Sequence, residues 1–494
     1  MHRLLIRSGM LPTEDMPVSK MILRSRMGGN IGNLVYQYAV LRQLTAGDDY
    51  EFTADYYVPQ NRRLSDKEIA AFDEKYEMYA LPLADAIRPD FMTSMENTTN
   101  FVKRSKMKTA VIGMGIRADL ADDPDNISFP FDSTVKEFVK AVLDKSAVVG
   151  VRGEATLRYL KRLGFKEESE VTVIGCPSLY MYGDGLKMKD PVISPDSRIL
   201  VNNSSAATPE VCAFLRKVWE EYPESYYVTQ AVQELKCIYM GARIDLAPPE
   251  NGYPNDINDP VFQSGRAVYP LNYLGWRDFA KGAALSVGAR FHGNVASILS
   301  GVPAVMIVKD MRMRELAAYH HIPCVTADRI SPDTELTKLI EEVDFGEFGR
   351  YHKENYDHYV DFLEKNEIAN VCSEMCAEGY VAPYDRITAD IDSPAPARPV
   401  CVVDEVERNA RTEEYFRMEA EYIADLKKQK SSAEKNRDKF RKESAAAKKA
   451  GQELQKENEA LKAEIERLKE ENRTIREEAE NGRKSLFSGL FRRS

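Results

Sequence analysis

The chain has no run of about twenty apolar residues, so nothing in it reads as a membrane span. Its start, Met1–Lys20, mixes charge with proline and lacks the apolar core of a secretory leader. A cytoplasmic protein is therefore expected. There is no excess of positive charge either: 68 Lys and Arg stand against 78 Asp and Glu, a net charge of −10. That balance excludes wholesale binding of a nucleic-acid backbone, although local arginines can still hold a small anion. Cysteine is scarce and odd in number, seven in all, and only Cys372 and Cys376 lie close together. No disulfide framework follows, and two cysteines without a second pair do not define a metal site. Proline is missing beyond Pro399, where Glu, Lys, Arg and Ala take over.

What is present is long and mixed. The 494 residues hold roughly three domains' worth of chain. From Met21 to Asn370 short apolar runs alternate with helical periods. The runs Ala110–Met114, Ala147–Val151, Val171–Ile174, Ile199–Val201, Tyr226–Thr229, Ala283–Val287 and Ala304–Val308 are bounded by Gly, Pro or Asn and predict buried strands. Between them, Ile31–Leu44, Ala155–Leu163 and Pro209–Tyr222 predict helices, with Gly164 at a C-terminus, Thr208 as N-cap and Pro209 at the first helical position. This alternation predicts an α/β body of parallel sheets covered by helices. Tyr180–Asp196 lacks a period and divides the body into two Rossmann-like domains, 21–185 and 196–370, the second with a closing helix. Residues 1–20 read as an N-terminal extension and 390–403, with three prolines, as a linker. A helical tail is expected over 404–481 and a basic amphipathic terminus over 482–494.

In parallel α/β sheets ligands bind beyond the carboxyl ends of strands, so the turns there deserve a search. Gly28–Asn33 combines glycines with Asn30 and Asn33 just before a helix. Either its backbone, around Gly29, approaches an anion, or the asparagines cap the helix. Val151-Arg152-Gly153-Glu154 runs from a strand into an arginine, which binds a ligand or pairs with Glu154. Arg290-Phe291-His292-Gly293 links a strand to an apolar helix that leads to Gly301-Val302-Pro303. Arginine offers a planar fork for carboxylate or phosphate, and His292 is one of only six histidines, the residue type that titrates near neutrality. Lys309–Glu315, with Arg312, follows the strand Ala304–Val308 and serves a site or surface ion pairs. His320 and His321 are adjacent and would diverge on a helix, so they make no metal site by themselves.

Together, the Gly-Asn turn, the Val-Arg-x-Glu step, the Val-Ile-Gly-x-Pro stretch ending at Pro177 and the Arg-x-His-Gly turn resemble the polysaccharide pyruvyl transferase family. The resemblance spans about Met21 to Asn370. It implies a two-domain fold like the GT-B glycosyltransferases and transfer of the pyruvyl unit of phosphoenolpyruvate to a sugar as a ketal, with phosphate released. It also implies that Arg290 and His292 are the catalytic donor-site pair and that Arg152 matches the arginine of the earlier step. Gly29, Asn30, Asn33 and Arg312 complete the expected substrate-binding set. No cofactor or metal is expected, only phosphoenolpyruvate and a glycan or lipid-linked sugar acceptor. Some members carry Asp-Pro where this chain has Cys176-Pro177. Two other readings stand beside this one: a nucleotide-sugar glycosyltransferase, which shares the fold, and a non-catalytic interaction protein with an enzyme-like body.

The tail lies outside the resemblance. Leu454, Leu461, Leu468 and Ile475 recur every seventh residue, with Asn458, Ile465, Asn472 and Ala479 at the alternate core position. Two asparagines in such a seam predict a parallel homodimeric coiled coil. Beyond it, Leu486, Phe487, Leu490 and Phe491 would share one helix face among basic residues. Peripheral contact with the inner face of a membrane and a frayed terminus are both open readings.

Overall fold

The predicted runs all fold as strands, because apolar residues on both faces of a run can be satisfied only inside a sheet covered on both sides. The computed structural model describes residues 1–490, with side chains through residue 483; most of the expected amphipathic terminus lies outside the described side chains. The N-terminal sheet comprises β1 (His2–Ile6), β2 (Tyr50–Ala54), β3 (Met78–Leu81), β4 (Ala84–Ile87), β5 (Lys108–Ile116), β6 (Val149–Val151) and β7 (Val171–Val173). Its order is β2-β1-β3-β5-β6-β7, with β4 also on β5. The second sheet comprises β8 (Ile199–Asn202), β9 (Tyr226–Val228), β10 (Ala267–Val268), β11 (Leu285–Gly288), β12 (Ala304–Val308) and β13 (Cys324–Thr326), in the order β10-β9-β8-β11-β12-β13. All pairings are parallel. The second order reverses between β8 and β11, the switch point where a doubly wound sheet opens a crevice.

The structure moves three expected boundaries. Residues 1–20 are not an extension: β1 sits inside the N-terminal sheet between β2 and β3. The closing helix, Phe345–Lys365, does not stay with the second domain. Tyr359 donates to Gln43 Oε1 at 2.8 Å, and Asn366 Oδ1 accepts the Ala147 and Val148 amides at 2.9 and 3.1 Å, all in the first domain. The proline-bearing segment 390–403 is ordered against the second domain, where Ala397 and Tyr269 exchange backbone hydrogen bonds of 2.8 and 2.9 Å.

The tail is one uninterrupted helix, Glu405–Leu490, whose start is capped by Asp404 through a 2.8 Å bond from the Glu407 amide. Its first turns belong to the body. Glu414 accepts from the Ser19 amide at 3.2 Å and from the Tyr239 hydroxyl at 3.4 Å, and Arg411 and Tyr415 are buried. Residues 1–418 form one compact unit, and 419–494 form a second. Within that second unit Leu454, Leu461, Ile465, Leu468 and Ile475 are exposed. Among the described residues no helix is long and apolar enough to cross a membrane.

Candidate active site

The turn after β11 carries the strongest sequence signal, and the structure shows what holds it. The Arg290 amide donates to Asn202 Oδ1 at 2.9 Å, and Asn202 Nδ2 donates to Asn294 Oδ1 at 3.0 Å. Asn202 ends β8, so both edges of the switch point are tied together. The Arg290 guanidinium turns to Glu234 Oε2 at 3.1 Å and the Tyr253 hydroxyl at 3.2 Å. Burial alone would weaken its charge, but Glu234 and Tyr253 outweigh burial and hold Arg290 firmly protonated.

His292 opens the helix Phe291–Ile298 and packs against the first domain. A Cβ on Gly32 would come within 2.6 Å of the His292 Cβ, so only glycine permits this approach. Cys176 Sγ lies 3.8 Å from His292 Nε2. Burial lowers the imidazole pKa well below its ordinary value, and the positive charges of Arg152 and Arg312 lower it further. The expectation of a histidine tuned near neutrality is thus corrected: its surroundings favour the neutral imidazole.

Arg152 does not pair with Glu154, which bonds Arg158 at 2.9 Å instead. It is fully buried, donates from Nε to the Gly113 carbonyl at 3.0 Å and lies 4.8 Å over the Tyr36 ring. Its Nη2 is buried without a hydrogen-bond partner. Arg312 sits 3.6 Å from Asp85 and 3.4 Å from Asp310. Burial pushes the Asp85 carboxyl up, but Arg312, Arg88 and Arg117 together pull it well below the usual carboxylate range.

The asparagines of the Gly-Asn turn shape the backbone. Asn30 Oδ1 accepts the Gly32 amide at 2.8 Å, and Asn33 Nδ2 donates to the Met27 carbonyl at 2.8 Å. The turn is pinned across the domain boundary, since Val232 donates to the Gly29 carbonyl and Ile31 to the Gln230 carbonyl, both at 3.0 Å.

All seven expected residues, Arg152, Arg290, His292, Gly29, Asn30, Asn33 and Arg312, line one cavity of about 920 Å³. It opens beyond the carboxyl ends of both sheets. Its walls carry seven arginines and a lysine against four aspartates, a positive site in an acidic protein. Three residues were missed. Asp85 gathers three arginines, Glu234 holds Arg290, and Gln230 lines the cavity with a buried, unpartnered Nε2. The only sequence signal for Gln230 was its place just past the run Tyr226–Thr229. The adjacent histidines diverge as expected. His320 accepts the Cys176 amide at 2.7 Å, while His321 stacks on Tyr351. Among the described residues no three His, Cys, Asp or Glu side chains are grouped to hold a metal ion.

Solved structures give distant likenesses. UDP-GlcNAc 2-epimerase from Neisseria meningitidis, bound to UDP-GlcNAc, is 12% identical, covering 76% of this chain and 98% of its own, with a TM-score of 0.36. The Methanocaldococcus jannaschii UDP-GlcNAc 2-epimerase, with UDP-GlcNAc and UDP, is 11% identical over 73% and 100%, with a TM-score of 0.37. CalG4, the calicheamicin glycosyltransferase, is 10% identical over 77% and 100%, with a TM-score of 0.31. Likeness at this level says nothing of substrate. No curated protein matches the chain. The family model for polysaccharide pyruvyl transferase matches residues 94–310, a span that holds Arg152, Cys176, Gln230, Arg290 and His292. Over those residues the chain matches the polysaccharide pyruvyl transferase family, the family its turn motifs resemble.

Proposed function

We propose that the protein transfers the pyruvyl group of phosphoenolpyruvate to two hydroxyls of a sugar, in a glycan or lipid-linked acceptor, as a ketal. The observation that carries this reading is the meeting of Arg152, Arg290, His292 and Arg312 in one cavity at the strand ends of both domains. Phosphoenolpyruvate is a dense anion of one carboxylate and one phosphate. Guanidinium groups in a buried site suit both.

The charge state of His292 gives the reaction an order. Burial, and after it the fields of Arg152 and Arg312, hold the imidazole pKa well below its ordinary value. A donor anion beside the imidazole offsets that positive field and favours the protonated ring, against the effect of burial. The protonated ring then protonates C3 of the enol, and C2 becomes electrophilic. One sugar hydroxyl adds at C2 as it loses its proton. The C2–O bond to phosphate breaks, with arginines stabilising the leaving dianion, and the second hydroxyl adds in its place. One proton enters at C3 and two leave the hydroxyls; the departing phosphate takes up the other. The products are the ketal and hydrogen phosphate.

The test is phosphate release from phosphoenolpyruvate in the presence of candidate sugar acceptors. Acceptor-dependent release supports the reading. Release of UDP from a sugar nucleotide, with phosphoenolpyruvate inert, replaces it with glycosyl transfer. The exposed heptad seam supports a second, separate reading, that the tail joins two copies of the chain as a parallel coiled coil.

A further inference from the structure

Three donors of the cavity lining are buried without a hydrogen-bond partner: Nε of Arg88, which still has Asp90 Oδ1 at 3.4 Å, Nη2 of Arg152 and Nε2 of Gln230. Arg152 and Gln230 are each only 1% exposed, and both line the cavity. A buried polar group without a partner is costly, so a persistent one in a cavity wall points to a ligand atom. Both residues lie in the neighbourhood of His292. Arg152 lies over Tyr36, whose ring is 6.4 Å from the imidazole. Gln230 lies against Gly293, the residue after His292, where a Cβ would fall 2.5 Å from its Nε2. Gly293 is in the first turn of the helix Phe291–Ile298, and no side chain caps that helix. Its first amides therefore have no side-chain partner, and the positive end of the helix lies at Phe291 and His292, both of which line the cavity.

The Gln230 backbone is fixed from three directions. Its amide donates to Glu234 Oε2 at 3.0 Å, and its carbonyl accepts from Ile31 N at 3.0 Å and the Tyr269 hydroxyl at 2.9 Å. The same Glu234 carboxylate holds Arg290. One buried acid thus positions both a guanidinium and a neutral amide donor, and the Gln230 backbone also meets the first domain at Ile31.

We propose that Gln230 Nε2, the first-turn amides of the helix Phe291–Ile298 and Arg152 Nη2 form a phosphoryl-binding subsite beside His292. The subsite takes a phosphate dianion, either as the phosphoryl group of a donor or as free phosphate. It rests on the pyruvyl-transfer reading only for the identity of that donor. A neutral amide there adds a donor without adding charge, so phosphate is oriented yet still able to leave.

Calorimetric titration of the full chain with inorganic phosphate, and separately with phosphoenolpyruvate, tests this. Gln230→Leu keeps the volume and removes the donor, and Gln230→Glu sets an anion in the subsite. Phosphate affinity should fall about tenfold in Gln230→Leu and be lost in Gln230→Glu, with thermal unfolding confirming that each variant is folded. If the leucine variant does not fold, the isosteric glutamate variant alone decides. Unchanged phosphate affinity in the folded variants, or no phosphate binding by the parent chain at millimolar concentration, overturns the subsite. Phosphate binding that depends on Gln230, without any acceptor-dependent turnover of phosphoenolpyruvate, keeps the subsite and removes the pyruvyl reading. Turnover of phosphoenolpyruvate with variant affinities equal to the parent's does the reverse.

Discussion

Cys176 Sγ lies 3.8 Å from His292 Nε2, so the position at which the family resemblance implies an aspartate in some members touches the candidate general acid itself. Here the neighbour is a fully buried cysteine. Cys176→Asp sets a carboxylate against the imidazole. A charge of that sign at that range should raise the imidazole pKa by about one to three pH units. The imidazole resonances of His292, followed by NMR across pH, measure the change; no upward movement means that the carboxylate does not reach the ring.

His292→Ala removes the group proposed to protonate C3. Turnover of phosphoenolpyruvate should fall by about 100- to 10,000-fold, the usual range for loss of an acid–base side chain. Near-normal steady-state turnover in a folded variant removes His292 from that role.

Glu234→Ala leaves Arg290 buried beside Tyr253 without its carboxylate. It also frees the Gln230 and Ala231 amides, which the same carboxylate accepts at 3.0 and 2.7 Å. Breaking one side of a buried ion pair costs about 3–5 kcal/mol. Urea unfolding should show a loss of that order, and a cost below about 1 kcal/mol, the scale of an exposed pair, would mean that Arg290 finds another partner.

Glu315 reaches from the second domain to accept the Thr156 amide and hydroxyl of the first, both at 2.9 Å. Burial raises its pKa from 4.5 to about 7, against the lowering effects of Thr156, Arg152 and Arg312. The unfolded chain therefore releases this proton at lower pH than the folded one. Its contribution favours the folded state below about pH 4.5 and is lost as pH rises to about 7, a change of about 3 kcal/mol. Glu315→Gln removes that slope. Unfolding free energies measured from pH 5 to 8 should fall more steeply in the parent than in the variant; parallel curves contradict the assignment.

The tail divides at residue 418 rather than 404. A chain ending at Met418 keeps the bonds of Glu414 to Ser19 and Tyr239, whereas one ending at Val403 loses them together with buried Tyr415. The longer truncation should keep the body's thermal stability, and the shorter one should unfold several degrees lower. Light scattering should find a dimer for the full chain and a monomer for residues 1–418. A dimer in both would place the dimer interface in the body.

Local pattern made much of this legible. The strands from residue 108 onward other than β10 and β13, and the helices after Gly32, Gly153 and Thr208, follow from apolar periodicity and capping residues, which act over a few neighbours. The four motif turns were also visible, because strand ends in a parallel sheet are where chains carry chemistry. β1 was not: its five residues begin with His2 and Arg3 and precede a proline-bearing stretch, and only pairing with β2 and β3 buries the rest. Nor could periodicity show that Glu234 holds Arg290, that Gln230 is an unpartnered donor, or that burial, with two arginines, favours the neutral form of His292. Those properties depend on burial and on charges brought from distant parts of the chain. The sequence by itself determined the alternation of strand and helix, the tail's seam and the turns that carry the candidate site residues. Only the tertiary structure decided which of them share a cavity and in what charge state, because desolvation and Coulomb fields are set by three-dimensional distance.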